Sequence, residues 1–159
     1  MVNALPDAAQ RVEDAAKALG LAVSVMIMPA TTRTAEDAAA ACGCAVGQIV
    51  KSLVFQGKGS KRPYLFLVSG ANRVNEKAVA GPVGEAIMRA DVAFVRDTTG
   101  YAIGGIPPLG HDTPIATFID ADLLQYDVVW AAAGTPHAVF SVDPKALRDA
   151  TKATTLAVT

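Results

Sequence analysis

Residues 50–69 read VKSLVFQGKGSKRPYLFLVS. Two runs rich in β-branched and aromatic residues, 50–56 and 63–69, flank the polar, glycine-containing connection GKGSKR, and this pattern predicts a β-hairpin of two central strands. Upstream of it, Ala8, Val12, Ala15, Ala16 and Leu19 recur at helical spacing, and Gly20 stands where a helix would be capped. Residues 21–28 alternate, with Leu21, Val23, Val25 and Ile27 on one side, and read as a strand ending at Pro29. Thr34 followed by Asp37 resembles a capping box and opens a short Ala-rich helix to about Ala41, with another helical turn before Lys51.

Downstream, Asn75–Ala80 and Pro82–Ala90 read as two helical pieces broken at Gly81. Asp91 caps a third helix, unless VAFV (92–95) is a strand. The segment GYAIGGIPPLGHD (100–112) carries four glycines and two prolines, which exclude regular structure and predict a shaped loop. Ile115–Ile119, Asp127–Ala132 and Ala138–Val142 read as strands, with a short helix or turn at Ala121–Leu124 between the first two. Asp143 and Pro144 begin a helix to about Thr151, and a last strand covers 154–158. Strands and helices mix irregularly, so the class expected is α+β: a mixed, mostly antiparallel sheet with short helices around it, in a single domain over 1–159.

The bulk properties suit that class. Of 159 residues, 52% are hydrophobic and 18% charged, which excludes a disordered chain and gives a domain of this size enough apolar surface for a core. No apolar run approaches the roughly 18 residues of a membrane span, and the N-terminal MVNALPDAAQRVEDAA lacks a basic cap and an apolar stretch, so a cytoplasmic location is expected. Cys42 and Cys44 are too few and too close for a disulfide framework.

The net charge of −1 is unevenly spread. Between Lys51 and Lys77 lie six basic residues against Glu76 alone, so this segment is +5 and the remainder −6. It is a candidate phosphate-facing surface, or Lys58, Lys61 and Arg62 merely solvate a hairpin loop.

Familiar catalytic signatures are missing: no GxSxG elbow, no phosphate-binding GxxxxGK[ST] loop, and no GxGxxG opening a helix after a strand. His111, His137 and the two cysteines do not have zinc-site spacing, and no metal or cofactor is signalled. What stands out is Lys51 at the head of an apolar run, the loop GGIPPLGH, and a second glycine turn, AAAGTPH. Lys51 alone could snorkel to solvent. Gly104 and Gly105 could serve only turn geometry, or could let a ligand reach bare backbone N–H groups. His137 could line a pocket or polarise a water, or could end a surface turn. His111 reads as structural.

Taken together, VGQIVKSLVF, YLFLVSGANRVN, TGYAIGGIPPLGH and AAAGTPHAVFSVDPKAL resemble the YbaK family of aminoacyl-tRNA deacylases, related to the editing domain inserted in some bacterial prolyl-tRNA synthetases. The resemblance runs over about residues 20–150. It implies a trans-editing hydrolase, metal-independent and without cofactor, that cleaves the ester between a wrong small amino acid and the tRNA acceptor end, with proline tRNA and prolyl-tRNA synthetase as implied partners. By the same resemblance Lys51 binds and orients the terminal adenosine and its phosphate. Backbone amides at Gly104, Gly105 and Gly134 hold the ester carbonyl while a water, activated by the substrate's own ribose hydroxyl, attacks. Ile106, Pro107, His137 and Arg73 are the accompanying substrate-binding candidates. The late turn GTPHAVF departs from relatives with an arginine-rich or GG-type turn, which leaves the accepted amino acid open. The competing expectations are a noncatalytic module of the same fold that binds tRNA or a synthetase, and a small-molecule hydrolase with no RNA partner.

Overall fold

A computed structural model describes residues 5–159; the first four residues of the expected 1–159 domain, where its N-terminal reading also begins, lie outside the described residues. In chain order the elements are α1 (Asp7–Ala18), β1 (Met26–Ile27), α2 (Ala35–Cys42), β2 (Ile49–Gly57), β3 (Pro63–Ser69), α3 (Glu76–Val83), β4 (Ile87–Arg89), α4 (Val92–Thr99), β5 (Ala116–Asp120), β6 (Val129–Ala132), β7 (Ala138–Val142), α5 (Pro144–Thr151) and β8 (Thr154–Leu156). Short 3-10 turns at Val46–Gln48 and Ala121–Gln125 lead into β2 and out of β5. None of the described helices is long and apolar enough to cross a membrane.

The hairpin is the middle of one mixed sheet ordered β1-β7-β6-β2-β3-β5-β8, with β4 pairing to β2 off this path. β2 and β3 pair antiparallel from Val50↔Ser69 to Gln56↔Pro63. Pairing is also antiparallel for β1/β7, β6/β7 and β2/β4, and parallel for β2/β6, β3/β5 and β5/β8. The α+β class with a mixed, mostly antiparallel sheet is what forms.

Because side chains alternate across a strand, β2 feeds two cores. Val50 and Val54 join Leu65, Leu67, Ile119 and Phe140 beneath α1, α4 and α5, where Val12, Val95 and Leu147 are buried. Phe55 goes to the opposite face with Phe66, Val68, Phe118 and Val79 of α3. There Phe66 stacks on Phe118 at 5.1 Å and meets Phe55 edge-on at 5.3 Å. Truncating a fully buried Phe such as Phe66 to Ala costs about 3–5 kcal/mol.

The helix starts follow local chemistry: Thr34, Asp91 and Asp143 each accept a hydrogen bond from a first-turn amide, of Asp37 (3.0 Å), Phe94 (2.8 Å) and Lys145 (2.8 Å). Residues 92–95 are therefore helix, not strand. Three expected elements change. Residues 82–90 are not a helix: α3 runs through Gly81 and Pro82, stops at Gly84 in the left-handed region (φ 102°), and Ile87–Arg89 becomes β4 because it pairs with Phe55–Gly57 of β2. Only Met26–Ile27 of the expected 21–28 strand joins the sheet. Leu21, Val23 and Val25 keep their buried alternation, but the Val25 N–H donates to the Glu13 carboxylate (3.0 Å) instead of to a strand. The final strand is shorter than expected, ending at Leu156.

Candidate active site

β2 is shared along one edge by two strands that do not meet. Ile49 and Val50 pair with β6, and Phe55–Gly57 pair with β4. Odd-numbered residues of β2 turn their main-chain groups toward β3, as in Gly70 N–H to Ile49 C=O (2.7 Å) and Gly57 N–H to Arg62 C=O (2.9 Å). Even-numbered residues face the shared edge. Val50 is covered there by β6, and Val54 C=O lies 3.5 Å from Ala90 N beyond β4. Ser52 lies between, in the gap.

A cleft of about 390 Å³ opens at that gap. Lys51 and Trp130 line it from one face of the sheet, Val95 and Ile106 from the other, with Ser52 between them. The Lys51 ammonium donates to the Asn72 carbonyl. Burial, and then the nearby Arg73 guanidinium, pull the Lys51 pKa below its ordinary value. Arg33 and Arg89 also line the cleft, and among the described residues no Asp, Glu, His, Cys or Tyr does. The site is cationic and is lined by no carboxylate or imidazole.

The 100–112 loop is shaped by its own contacts. Tyr101 OH donates to Gly110 C=O (3.1 Å), His111 Nε2 lies 2.7 Å from the Pro107 carbonyl, and Arg11 pairs with Asp112 while lying 4.7 Å from the Tyr101 ring centroid. This brings Gly104 and Ile106 to the cleft. Gly104 has φ 101°, and a Cβ there would stand 3.5 Å from Arg33 Cγ, so the glycine sits under the arginine stem.

The remaining predicted site residues lie elsewhere. The Gly105 N–H donates to Ala102 C=O (3.2 Å), and its carbonyl accepts from the Gly134 N–H (2.8 Å). Both amides are thus occupied within the protein and do not face the cleft as carbonyl donors. Gly105 is needed because a Cβ would lie 2.7 Å from Thr135 N, and Gly134 because a Cβ would lie 2.7 Å from Ala8 O. These glycines dock two loops and α1 against one another. Pro107 is buried behind the loop, so it supports the cleft instead of lining it. His137 is exposed and off the cleft, where its carbonyl accepts from Met28 N–H (2.7 Å), which is the surface-turn alternative. Arg73 is exposed and outside the lining, reaching the site only through its charge on Lys51.

Three lining residues were not legible as such. Arg33 precedes a helix cap, Arg89 lay inside an expected helix, and Ser52 carried no signal apart from standing next to Lys51. Lys58, Lys61 and Arg62, by contrast, are exposed around the far end of the hairpin, organised by the Glu85 carboxylate. The Cys42 thiol is pushed up to about 11 by burial and then by Cys44, which makes it a poor nucleophile. Among the described residues no group of three or more His, Cys, Asp or Glu comes together to hold a metal.

The aminoacyl-tRNA editing domain matches residues 29–150, which spans β2, the glycine loop and the 134 turn. The chain belongs to the aminoacyl-tRNA editing domain family. Within it, the fold superimposes with TM-score 0.91 on the crystal structure of a proposed trans-editing enzyme for prolyl-tRNA synthetase, 47% identical and covering 98% of each chain. The hypothetical protein APE2540 is 31% identical with TM-score 0.87, covering 93% of this chain and 98% of that one. The uncharacterized protein YwhH of Bacillus subtilis (strain 168) is 28% identical over 106 residues, 65% of this chain and 66% of that protein's length.

Proposed function

We propose that this editing-domain protein is a trans-acting deacylase that hydrolyses the ester joining a small, wrongly attached amino acid to the 3′ end of a tRNA, with proline tRNA the first candidate. The observation that carries this reading is the cleft itself, where three cations and no carboxylate line a gap in the sheet. Such a site favours a phosphate-bearing ligand over a neutral small molecule.

Lys51 supplies a fixed ammonium for the phosphate of the terminal adenosine, and Arg33 and Arg89 extend that anchor along the chain of phosphates. With no carboxylate or imidazole lining the cleft, a water held by the substrate's ribose hydroxyl attacks the ester carbon. Its oxygen forms the new C–O bond, the bond to the tRNA oxygen breaks, and the proton passes to that oxygen to leave free tRNA and free amino acid. The protein contributes orientation and charge. An apolar slot between Val95 and Ile106 selects by size, and one methylene there is worth about 1–3 kcal/mol, so neighbouring small amino acids overlap. Action on tRNA puts the protein with translation in the cytoplasm.

The test offers alanyl, seryl and cysteinyl esters on proline tRNA and on their own tRNAs. Release above the buffer rate, lost in Lys51→Ala, is expected. Salt-sensitive tRNA binding with no release from any ester would instead make the protein a binding module.

A further inference from the structure

The gap on β2 is one residue wide. Val50 is covered by β6 and Val54 faces Ala90, leaving Ser52 as the residue of that edge without a strand beside it. Its main-chain N–H and C=O point into the gap, because residues of its parity turn away from β3, and among the described residues neither meets a partner. The Ser52 hydroxyl, whose oxygen is buried, has no hydrogen-bond partner either. A residue in the middle of a sheet ordinarily has both main-chain groups in ladders, and a buried hydroxyl is nearly always paired, so this residue stands out on both counts. It marks a place where something else hydrogen-bonds.

An aminoacyl ester carries a donor and an acceptor on either side of one tetrahedral carbon: its ammonium and its ester carbonyl. A strand residue presents the same pair to its neighbour, and two residues facing each other in a hydrogen-bonded antiparallel pair exchange both bonds. We propose that the aminoacyl group docks as a single additional strand residue on β2, with its ammonium donating to the Ser52 C=O and its ester carbonyl accepting from the Ser52 N–H. The proposal rests on the deacylase reading above. It replaces the occupied amides of Gly105 and Gly134 with the Ser52 amide as the donor that holds the carbonyl as its oxygen gains charge. Residues facing each other across a ladder share a face, so the substrate's side chain lies on the Ser52 side of the sheet, toward Val95 and Ile106. The tRNA end leaves on the side of Lys51.

Two single-turnover measurements test this. The first compares alanyl-tRNA with propionyl-tRNA, which lacks only the ammonium, each relative to its buffer rate. The wild-type acceleration should be about 10- to 100-fold smaller for the propionyl ester, the effect of removing one charged hydrogen bond. The second replaces Ser52 by its α-hydroxy acid counterpart, converting the Lys51–Ser52 amide to an ester, which removes that N–H, keeps the side chain, and weakens the Lys51 carbonyl only as an acceptor toward β3. Turnover of alanyl-tRNA should fall about 100-fold. If alanyl-tRNA is hydrolysed but the propionyl ester is accelerated equally, or the backbone-ester protein is as fast as wild type, docking on Ser52 is overturned and the deacylase reading stands. If no aminoacyl-tRNA is hydrolysed by wild type, both fall. The propionyl comparison needs no variant and so does not depend on the altered chain folding.

Discussion

The Lys51 ammonium donates to the main-chain carbonyl of Asn72, in the turn that follows β3. That turn is pinned by Asp120, a carboxylate 1% exposed that accepts from Ser69 N–H (3.1 Å), Asn72 Nδ2 (2.9 Å) and Asp122 N–H (3.0 Å). A lysine beside an apolar strand would ordinarily extend into water. Here its head is tethered beside the cleft by a seat built from the end of β5.

Asp120→Asn should therefore loosen that seat without touching substrate. The amide cannot accept all three donors, and losing a hydrogen bond to a charged group costs about 1.5–3 kcal/mol. Chemical denaturation should show this loss, and deacylation at saturating tRNA should fall with it. Wild-type stability and turnover would show that Asp120 does not position Lys51.

Lys51→Ala should abolish deacylation while unfolding at or above the wild-type temperature near neutral pH. The sign follows from the lowered pKa: the folded state disfavours the charged ammonium relative to the unfolded chain. That penalty is fully present below the folded-state pKa and is relieved as pH rises through it toward the ordinary 10.5. Binding of uncharged tRNA by wild type should weaken over the same rise, and Lys51→Arg, a planar fork in place of a point charge, should bind without that alkaline limb but turn over poorly. Melting curves and binding isotherms across pH check both halves.

Gly105→Ala should act on stability, not selectively on catalysis. Its Cβ would stand 2.7–2.8 Å from main-chain atoms of Gly134 and Thr135, which cannot swing away as a side chain could. Overpacking of this kind costs about 1–3 kcal/mol, so the midpoint of denaturation should drop. An unchanged midpoint with turnover alone reduced would restore a direct role in holding the ester.

Arg33→Ala and Arg89→Ala should each weaken tRNA binding and flatten its salt dependence, by about 0.7 in the slope of log K against log salt for each single-strand phosphate that is no longer neutralised. The triple change of Lys58, Lys61 and Arg62 to Ala should leave that slope near wild type, since these side chains surround the opposite end of the hairpin from Lys51. Titrations at several salt concentrations distinguish the two groups.

Glu85 gives an acid-side signature independent of the cleft. Hydrogen bonds from Ser60 Oγ and Tyr64 OH, with the Ser60 and Gly59 amides, lower its pKa from 4.5 to about 2. A depressed carboxylate pKa means stabilisation that is present above 4.5 and lost as pH falls toward 2. Glu85→Gln should remove that part of the acid denaturation profile and leave deacylation at neutral pH unchanged.

The sequence by itself determined the hairpin, because β-branched and aromatic runs on both sides of a polar glycine turn admit little else. It also determined the helix starts at Thr34 and Asp143, where a side-chain oxygen meets the first free amides within three residues, whereas at Asp91 it left helix and strand open. Lys51 and the glycine loop were legible for the same reason: their signals are local, and together they carried the family resemblance. Tertiary structure decided the rest. Ile87–Arg89 is a strand only because Phe55–Gly57 offers it an edge. Gly105 and Gly134 serve each other only because the two loops meet. The cleft, with Ser52 in its gap and Arg33 and Arg89 in its wall, exists because β6 and β4 cover β2 from opposite ends and stop short of one another. Such a gap arises from pairing between segments distant in sequence, and no period or motif within β2 encodes it.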